Sequence, residues 1–352
     1  MNREQGLRER VLEAAAAKRP LDIAGGGSKA FLGRLAEGER LDVTHHRGIL
    51  DYEPRELVIT ARCGTPLAEI ETTLAERNQM LPFEPPHFAD TATLGGCIAT
   101  GLSGPRRPYS GAARDLLLGV RLLNGRGEIL RFGGAVMKNV AGYDIPRLMC
   151  GAMGTLGVLL EVSLKVLPLP SREITLVYDE SPGEALRRFN DCAGRPLPLS
   201  AACHDGKRSY LRLSGAESAV AAARKALGGE LLETGEHFWR TQVREQGHRF
   251  FRGEAPLWRL SLPPAAPWEP HPGDTFIDWG GALRWIRSER PAEVHFSAAA
   301  AAGGHASLFR GGDRRGQRRQ PLPKTVMTIQ HRLKQAFDPQ GLFNPGRLYR
   351  EF

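Results

Sequence analysis

Residues 91–104, TATLGGCIATGLSG, set glycines at 95, 96, 101 and 104 and hydroxyls at Thr91, Thr93, Thr100 and Ser103 around a short apolar centre. Such a stretch belongs where the backbone bends sharply or passes close to another surface, because glycine reaches positive φ and has no Cβ. Bare amides in a bend or at a helix start also attract phosphate. The same residues would serve equally as a tight strand-to-helix turn in any α/β protein. The neighbouring motifs must decide.

Three further elements share this character. The apolar strand 21–24 runs into Gly25, Gly26, Gly27, Ser28 and Lys29, the layout of a phosphate cradle in which bare amides are joined by one flexible cation. The spacing is neither that of a P-loop nor the G-x-G-x-x-G of a nicotinamide-binding fold. GAMGTLG, with glycines at 151, 154 and 157, leads into the strand 158–167, and VMKNVAGYD just before it gathers Lys138, Tyr143 and Asp144. The last element is the turn-rich tail FDPQGLFNPGR, residues 337–347.

Around these motifs the pattern predicts a helix over 3–18, a strand over 56–63 and a helix over 66–78. A hairpin is expected over 116–132, turning on Asn124-Gly125, a pair that suits positive φ. Pro168 and Pro170 mark a domain boundary near 171. Beyond it the order β-α-β-β-α-β, with strands at 174–178, 199–203, 209–213 and 230–233 and helices at 182–192 and 216–227, predicts a ferredoxin-like layer. A helix around 236–249, strands at 256–262, 275–279 and 293–298, and a helix over 325–337 complete the reading. Trp258, Trp268, Trp279 and Trp285 fall in this part, as core or as walls of a pocket.

Composition narrows the function. The formal charge of +9 is scattered; its one dense run, RGGDRRGQRRQPLPK at 310–324, lacks interleaved aromatics and helical periodicity. It reads as a solvated loop or a surface for anions, and no nucleic-acid module is recognisable. Cys63, Cys97, Cys150, Cys192 and Cys203 show no C-x-x-C spacing, so neither a disulfide framework, an iron–sulfur cluster nor a metal site is expected. No apolar run approaches the roughly 20 residues of a membrane helix. The charged N-terminal segment has no signal-peptide core, so a cytoplasmic protein is expected.

Taken in order, AGGGSK, TATLGG, KNVAGYD…GAMGTLG and FDPQGLFNPGR resemble the FAD-linked oxidase family whose flavin domain is of the p-cresol methylhydroxylase or vanillyl-alcohol oxidase type. Within it the chain looks most like the FAD-binding subunits of bacterial glycolate oxidases. The resemblance is dense over 1–170 and good over the tail. It implies an α+β fold: a flavin domain of two α+β subdomains over 1–170, a ferredoxin-like substrate or cap domain over 171–320, and a helix and tail, 321–352, returning to the flavin domain.

Carried over residue by residue, the resemblance implies that Gly25, Gly26, Gly27 and Ser28 receive the FAD pyrophosphate with Lys29 nearby. Thr93, Leu94, Gly95, Gly96, Thr100, Gly101, Ser103 and Gly104 would line the pyrophosphate, ribityl chain and isoalloxazine, and Gly157 and Val158 would use backbone groups. The histidine that tethers flavin in many relatives is missing, so noncovalent FAD is expected. Relatives often carry an acidic residue in the third loop, which here reads Gly151-Ala152-Met153-Gly154, and a histidine-rich G-D-G-N-x-H segment that is not found here.

Two functions follow. One is oxidation of glycolate or another small 2-hydroxy acid, hydride passing to flavin. This needs a base, for which His305, His295, Tyr143 and Lys138 are candidates, and a carboxylate clamp, for which Arg106 or Arg107 would serve. The other is a non-catalytic flavin-carrying accessory subunit. In both the implied partners are a longer FAD-linked catalytic subunit and an iron–sulfur subunit, in the cytoplasm or peripheral at the inner membrane through the complex.

Overall fold

A computed structural model describes residues 3–134, 143–270 and 273–351. Helix Arg3–Ala17 turns Leu7, Val11 and Ala14 inward at helical spacing. They share a core with Leu21, Leu41, Val158, Leu160 and Phe343. Strand Leu21–Ala24 pairs in parallel with Glu39–Asp42. The tail joins its other edge, where Leu21 N donates to Leu342 O at 2.7 Å and Leu21 bridges Phe343.

The larger subdomain is a five-stranded sheet in the order Ile49–Glu53, Val58–Arg62, Val158–Lys165, Leu117–Leu123, Ile129–Gly133, every neighbouring pair antiparallel. Helices Leu67–Ala75, Leu94–Thr100 and Ile145–Met149 pack on it through Leu67, Ile70, Leu94, Ile98 and Met149. The hairpin forms as expected, but its one positive φ falls on Gly127 (76°). Asn124 Oδ1 accepts from Arg126 N and Glu128 N instead, and this side-chain turn replaces the Asn-Gly geometry.

Beyond Ser171 the β-α-β-β-α-β order is found. Strands Arg172–Asp179, Leu199–His204, Arg208–Gly215 and Glu230–Leu231 lie in the spatial order fourth, first, third, second, which is the ferredoxin-like arrangement. A second set, Thr275–Asp278, Leu283–Arg287, Leu257–Ser261 and His305–Arg310, extends it to eight strands. The strand expected at 293–298 is instead part of helix Ala292–Ala301, which starts after Pro291. An apolar run of this length does not discriminate strand from helix, and the alanines favour the helix. The helix expected around 236–249 is broken into a turn, a π-helix over Phe238–Arg244 and a 3₁₀ turn over Arg249–Arg252.

The part built on the five-stranded sheet and the part beyond Ser171 are joined by buried charge. Glu84 binds Arg212 at 2.8 Å and Arg106 at 3.2 Å, and Arg106 also reaches Glu173 at 2.6 Å. Burial works to raise the Glu84 carboxyl, yet Arg212 and Arg106 beside it hold it below the usual range. Trp279 Nε1 donates to Gly104 O at 2.9 Å across the same junction.

Candidate functional site

A cleft opens where the three glycine loops meet the tail. Its walls carry Gly25 to Lys29, then Thr93, Gly95, Gly96 and Thr100 from the stretch at 91–104, then Met153, Gly154 and Gly157, and finally Asn344 and Arg347. Its empty space, open mouth included, is about 950 Å³. Asn344 braces it: its Oδ1 accepts from Ile23 N at 2.7 Å and its Nδ2 donates to Met153 O at 2.7 Å.

The helix start at Thr93 is not an open anion site. Leu94 N donates to Thr65 O (2.9 Å), Gly95 N to Cys63 O (2.7 Å) and Gly96 N to the Thr93 hydroxyl (3.2 Å). The first two amides seat the helix on residues 63–65 and the third is capped by Thr93. In the first loop, by contrast, the amides of Gly26, Gly27, Ser28 and Lys29 make no hydrogen bond among the described residues. Lys29 lies on the wall with its Nζ donating to His87 O at 3.2 Å, so this cation is pinned rather than flexible. Burial lowers its pKa. Arg40 and Arg347 add positive charge, and Asp22 is the one carboxylate in the lining.

Several glycines here serve protein–protein contact. A Cβ on Gly26 would lie 1.5 Å from Thr91 O, one on Gly25 2.6 Å from the Thr93 hydroxyl, and one on Gly95 2.7 Å from Cys63 Cβ. Gly27 (φ 75°) faces open space, and a Cβ on Gly96 would meet only the Thr93 hydroxyl, at 3.2 Å. Leu94 and Val158 are core residues. Gly101 caps its helix in the left-handed region (φ 62°). Ser103 Oγ accepts from Ala113 N, and Gly104 packs on the Glu84 backbone. These five do not line the cleft. Asp22, Arg40, Cys63, Asn344 and Arg347 line it without having been singled out, although Asn344 and Arg347 stand in the tail motif.

A second cavity adjoins the first, with Thr100 and Met153 on the wall of both. Strands Leu257–Ser261 and His305–Arg310 and the basic segment contribute Arg259, Ser261, His305 and Arg319, and the tail adds Tyr349. Burial, with Arg259, Arg319 and Arg107 beside it, lowers the pKa of His305 and favours the neutral, proton-accepting ring. Of the other candidate bases, His295 is fully buried in the cap and stacked on Trp258 (4.4 Å between centroids). Tyr143 is 89% exposed and lines neither cavity. Lys138 lies outside the described residues. Arg106 is consumed by Glu84 and Glu173 and is no substrate clamp. Arg107 stacks over Trp279, 4.2 Å from the ring centroid.

Residues 2–133 match the FAD binding domain family. Over 347 residues the chain is 50% identical to the glycolate oxidase subunit GlcE of Escherichia coli, covering 99% of this chain and 97% of that protein. It is 32% identical over 133 residues to the glycolate oxidase subunit GlcD of Bacillus subtilis and 31% over 143 residues to a D-lactate dehydrogenase of Anaerostipes hadrus. It spans 28% and 30% of their lengths. The solved structure of an alkyldihydroxyacetonephosphate synthase shares the fold, with a TM-score of 0.66 over 97% of this chain and 75% of that one at 16% identity. Fold and family together define an FAD-linked oxidoreductase, a flavoprotein. Within that class the chain belongs to the family of the glycolate oxidase subunit GlcE. Among the described residues no helix is long and apolar enough to cross a membrane.

Proposed function

We propose that the cleft of the three glycine loops holds FAD, noncovalently, and that the chain takes part in oxidising glycolate as a subunit of a glycolate oxidase. The observation that carries this reading is the run of amides from Gly26 to Lys29 that make no hydrogen bond among the described residues, on the wall of a cleft that Lys29, Arg40 and Arg347 also line. An anionic diphosphate suits that set. Gly27 and Gly96 leave space where a side chain would intrude. Among the described residues the lining contains no histidine for a tether.

FAD supplies the acceptor for a hydride from the carbon bearing the hydroxyl. The chain's own part is to hold the acid and to take the hydroxyl proton. His305 Nε2 or Nδ1, kept neutral in the adjoining cavity, is the proton acceptor we assign. We also propose the division 1–170, 171–320 and 321–352, supported by the separation of the two large sheets and by the return of the tail to strand Leu21–Ala24. The partners would be a longer FAD-linked subunit and an iron–sulfur subunit, in the cytoplasm or peripheral at the membrane through them. An absorbance spectrum of the purified chain, before and after glycolate, tests the reading. Bound flavin bleached by glycolate is expected; a chain that neither carries nor takes up FAD would refute it.

A further inference from the structure

The second cavity carries more positive charge than a monocarboxylic acid can answer. Arg259, Arg318 and Arg319 line it, together with the neutral His305. Arg107 adds to their field from the Trp279 ring, over which Arg259 also lies, 5.0 Å from the centroid. None of these four arginines forms an ion pair among the described residues, and Arg318 is held by the carbonyls of Gly311, Asp313 and Phe309. Among the described residues Arg259 Nε has no hydrogen-bond partner and the Arg319 side chain makes one bond, to Met153 Sδ at 3.4 Å. No Asp or Glu among the described residues lines the cavity. Asp278, the carboxylate felt by Arg259, is occupied by Trp279 N at 2.7 Å and makes no ion pair with it. The one acidic group on the wall is the Tyr349 phenol, which burial pushes up. Burial also pulls Arg259 down to about 10. Guanidiniums held this way call for an anionic ligand, and they receive carboxylates bidentately.

We infer that this cavity is a dicarboxylate site, with one carboxylate of a short aliphatic diacid on Arg259 and the other on Arg319. The inference rests on the flavin reading only for its position beside the cofactor cleft. Titration calorimetry of the full chain, reconstituted with FAD, tests it with malonate, succinate and glutarate. Each is compared with acetate, propionate or butyrate at constant ionic strength. The best diacid should bind at least about tenfold more tightly than its monoacid, or about 1.4 kcal/mol. Arg259→Met and Arg319→Met should each erase that preference while retaining monoacid binding. Diacids no tighter than monoacids on the unmodified chain would overturn the inference, whether or not the variants fold. Flavin absorbance on the same samples separates the two readings. A chain without FAD that still prefers diacids keeps this site and loses the flavin one, and an FAD-loaded chain without the preference does the reverse.

Discussion

Gly26 and Gly96 both line one cleft and are glycine for different reasons. At Gly26 a Cβ would meet the Thr91 carbonyl at 1.5 Å, so the first loop and the stretch at 91–104 touch backbone to backbone there. At Gly96 a side chain meets little but the Thr93 hydroxyl and would grow into the cleft. Gly26→Ala should therefore destabilise the chain by about 3 kcal/mol or more through overpacking, with or without FAD. Gly96→Leu should leave the melting temperature of the FAD-free chain nearly unchanged and weaken FAD binding at least about tenfold, or 1.4 kcal/mol. Urea unfolding and FAD titration of both variants check this; a Gly96→Leu chain that binds FAD normally would remove the helix start from the site. The glycine pattern made the meeting of these loops legible in the sequence. Which glycines touch protein and which face the cleft was not, because that depends on contacts remote in the chain, 65 residues apart for Gly26 and Thr91 and 32 apart for Gly95 and Cys63.

The C-terminal helix Lys324–Phe337 is an element tied down at one end. Val326 and Ile329 are exposed, whereas Lys334 is buried and donates to Thr155 O (2.7 Å), Asp338 Oδ2 (2.7 Å) and Phe343 O (2.8 Å). Asp338 in turn accepts from Leu342 N and Phe343 N. One ammonium and one carboxylate thus fix the tail that carries Asn344 and Arg347 into the cleft. Burial lowers the Lys334 pKa, and Asp338 works against that shift. Lys334→Met leaves Asp338 buried without its cation, a loss of about 3–5 kcal/mol. The same variant should lose FAD, since the tail wall goes with it. Paired unfolding and flavin-content measurements decide; a stable variant with full FAD would show that the tail holds without this pair. At this scale the sequence announced the helix and the turns after it. It did not announce strands Leu283–Arg287 and His305–Arg310, whose residues alternate too briefly; the first pairs with the neighbouring Thr275–Asp278, but the second pairs with Leu257–Ser261, remote in the chain.

Across the whole molecule, the flavin-domain side and the cap meet through charge as much as through apolar contact. Glu84 belongs to the first, Arg212 and Glu173 to the second, and Arg106 binds across. Glu84→Ala would leave two buried guanidiniums short of a partner and should cost about 3–5 kcal/mol in urea unfolding. An unchanged midpoint would mean that Glu173 alone suffices. Asp278 lies behind this network with a different fate. Burial raises its pKa to about 7, Trp279 N and the distant Arg212 and Arg259 offsetting only part of the effect. A carboxyl whose folded value exceeds its unfolded value of 3.8 stabilises nothing by ionising. Its contribution is intact below 3.8 and is lost as pH rises through about 7. Asp278→Asn keeps an oxygen to accept from Trp279 N and has no proton to lose. Its stability relative to the natural chain should therefore grow between pH 4.5 and pH 7.5, by about 1–3 kcal/mol at roughly 1.4 kcal/mol per pKa unit. Urea unfolding of both chains at the two pH values measures the difference. A constant offset would mean that Asp278 titrates in the ordinary carboxylate range, and that the junction tolerates its charge at neutral pH.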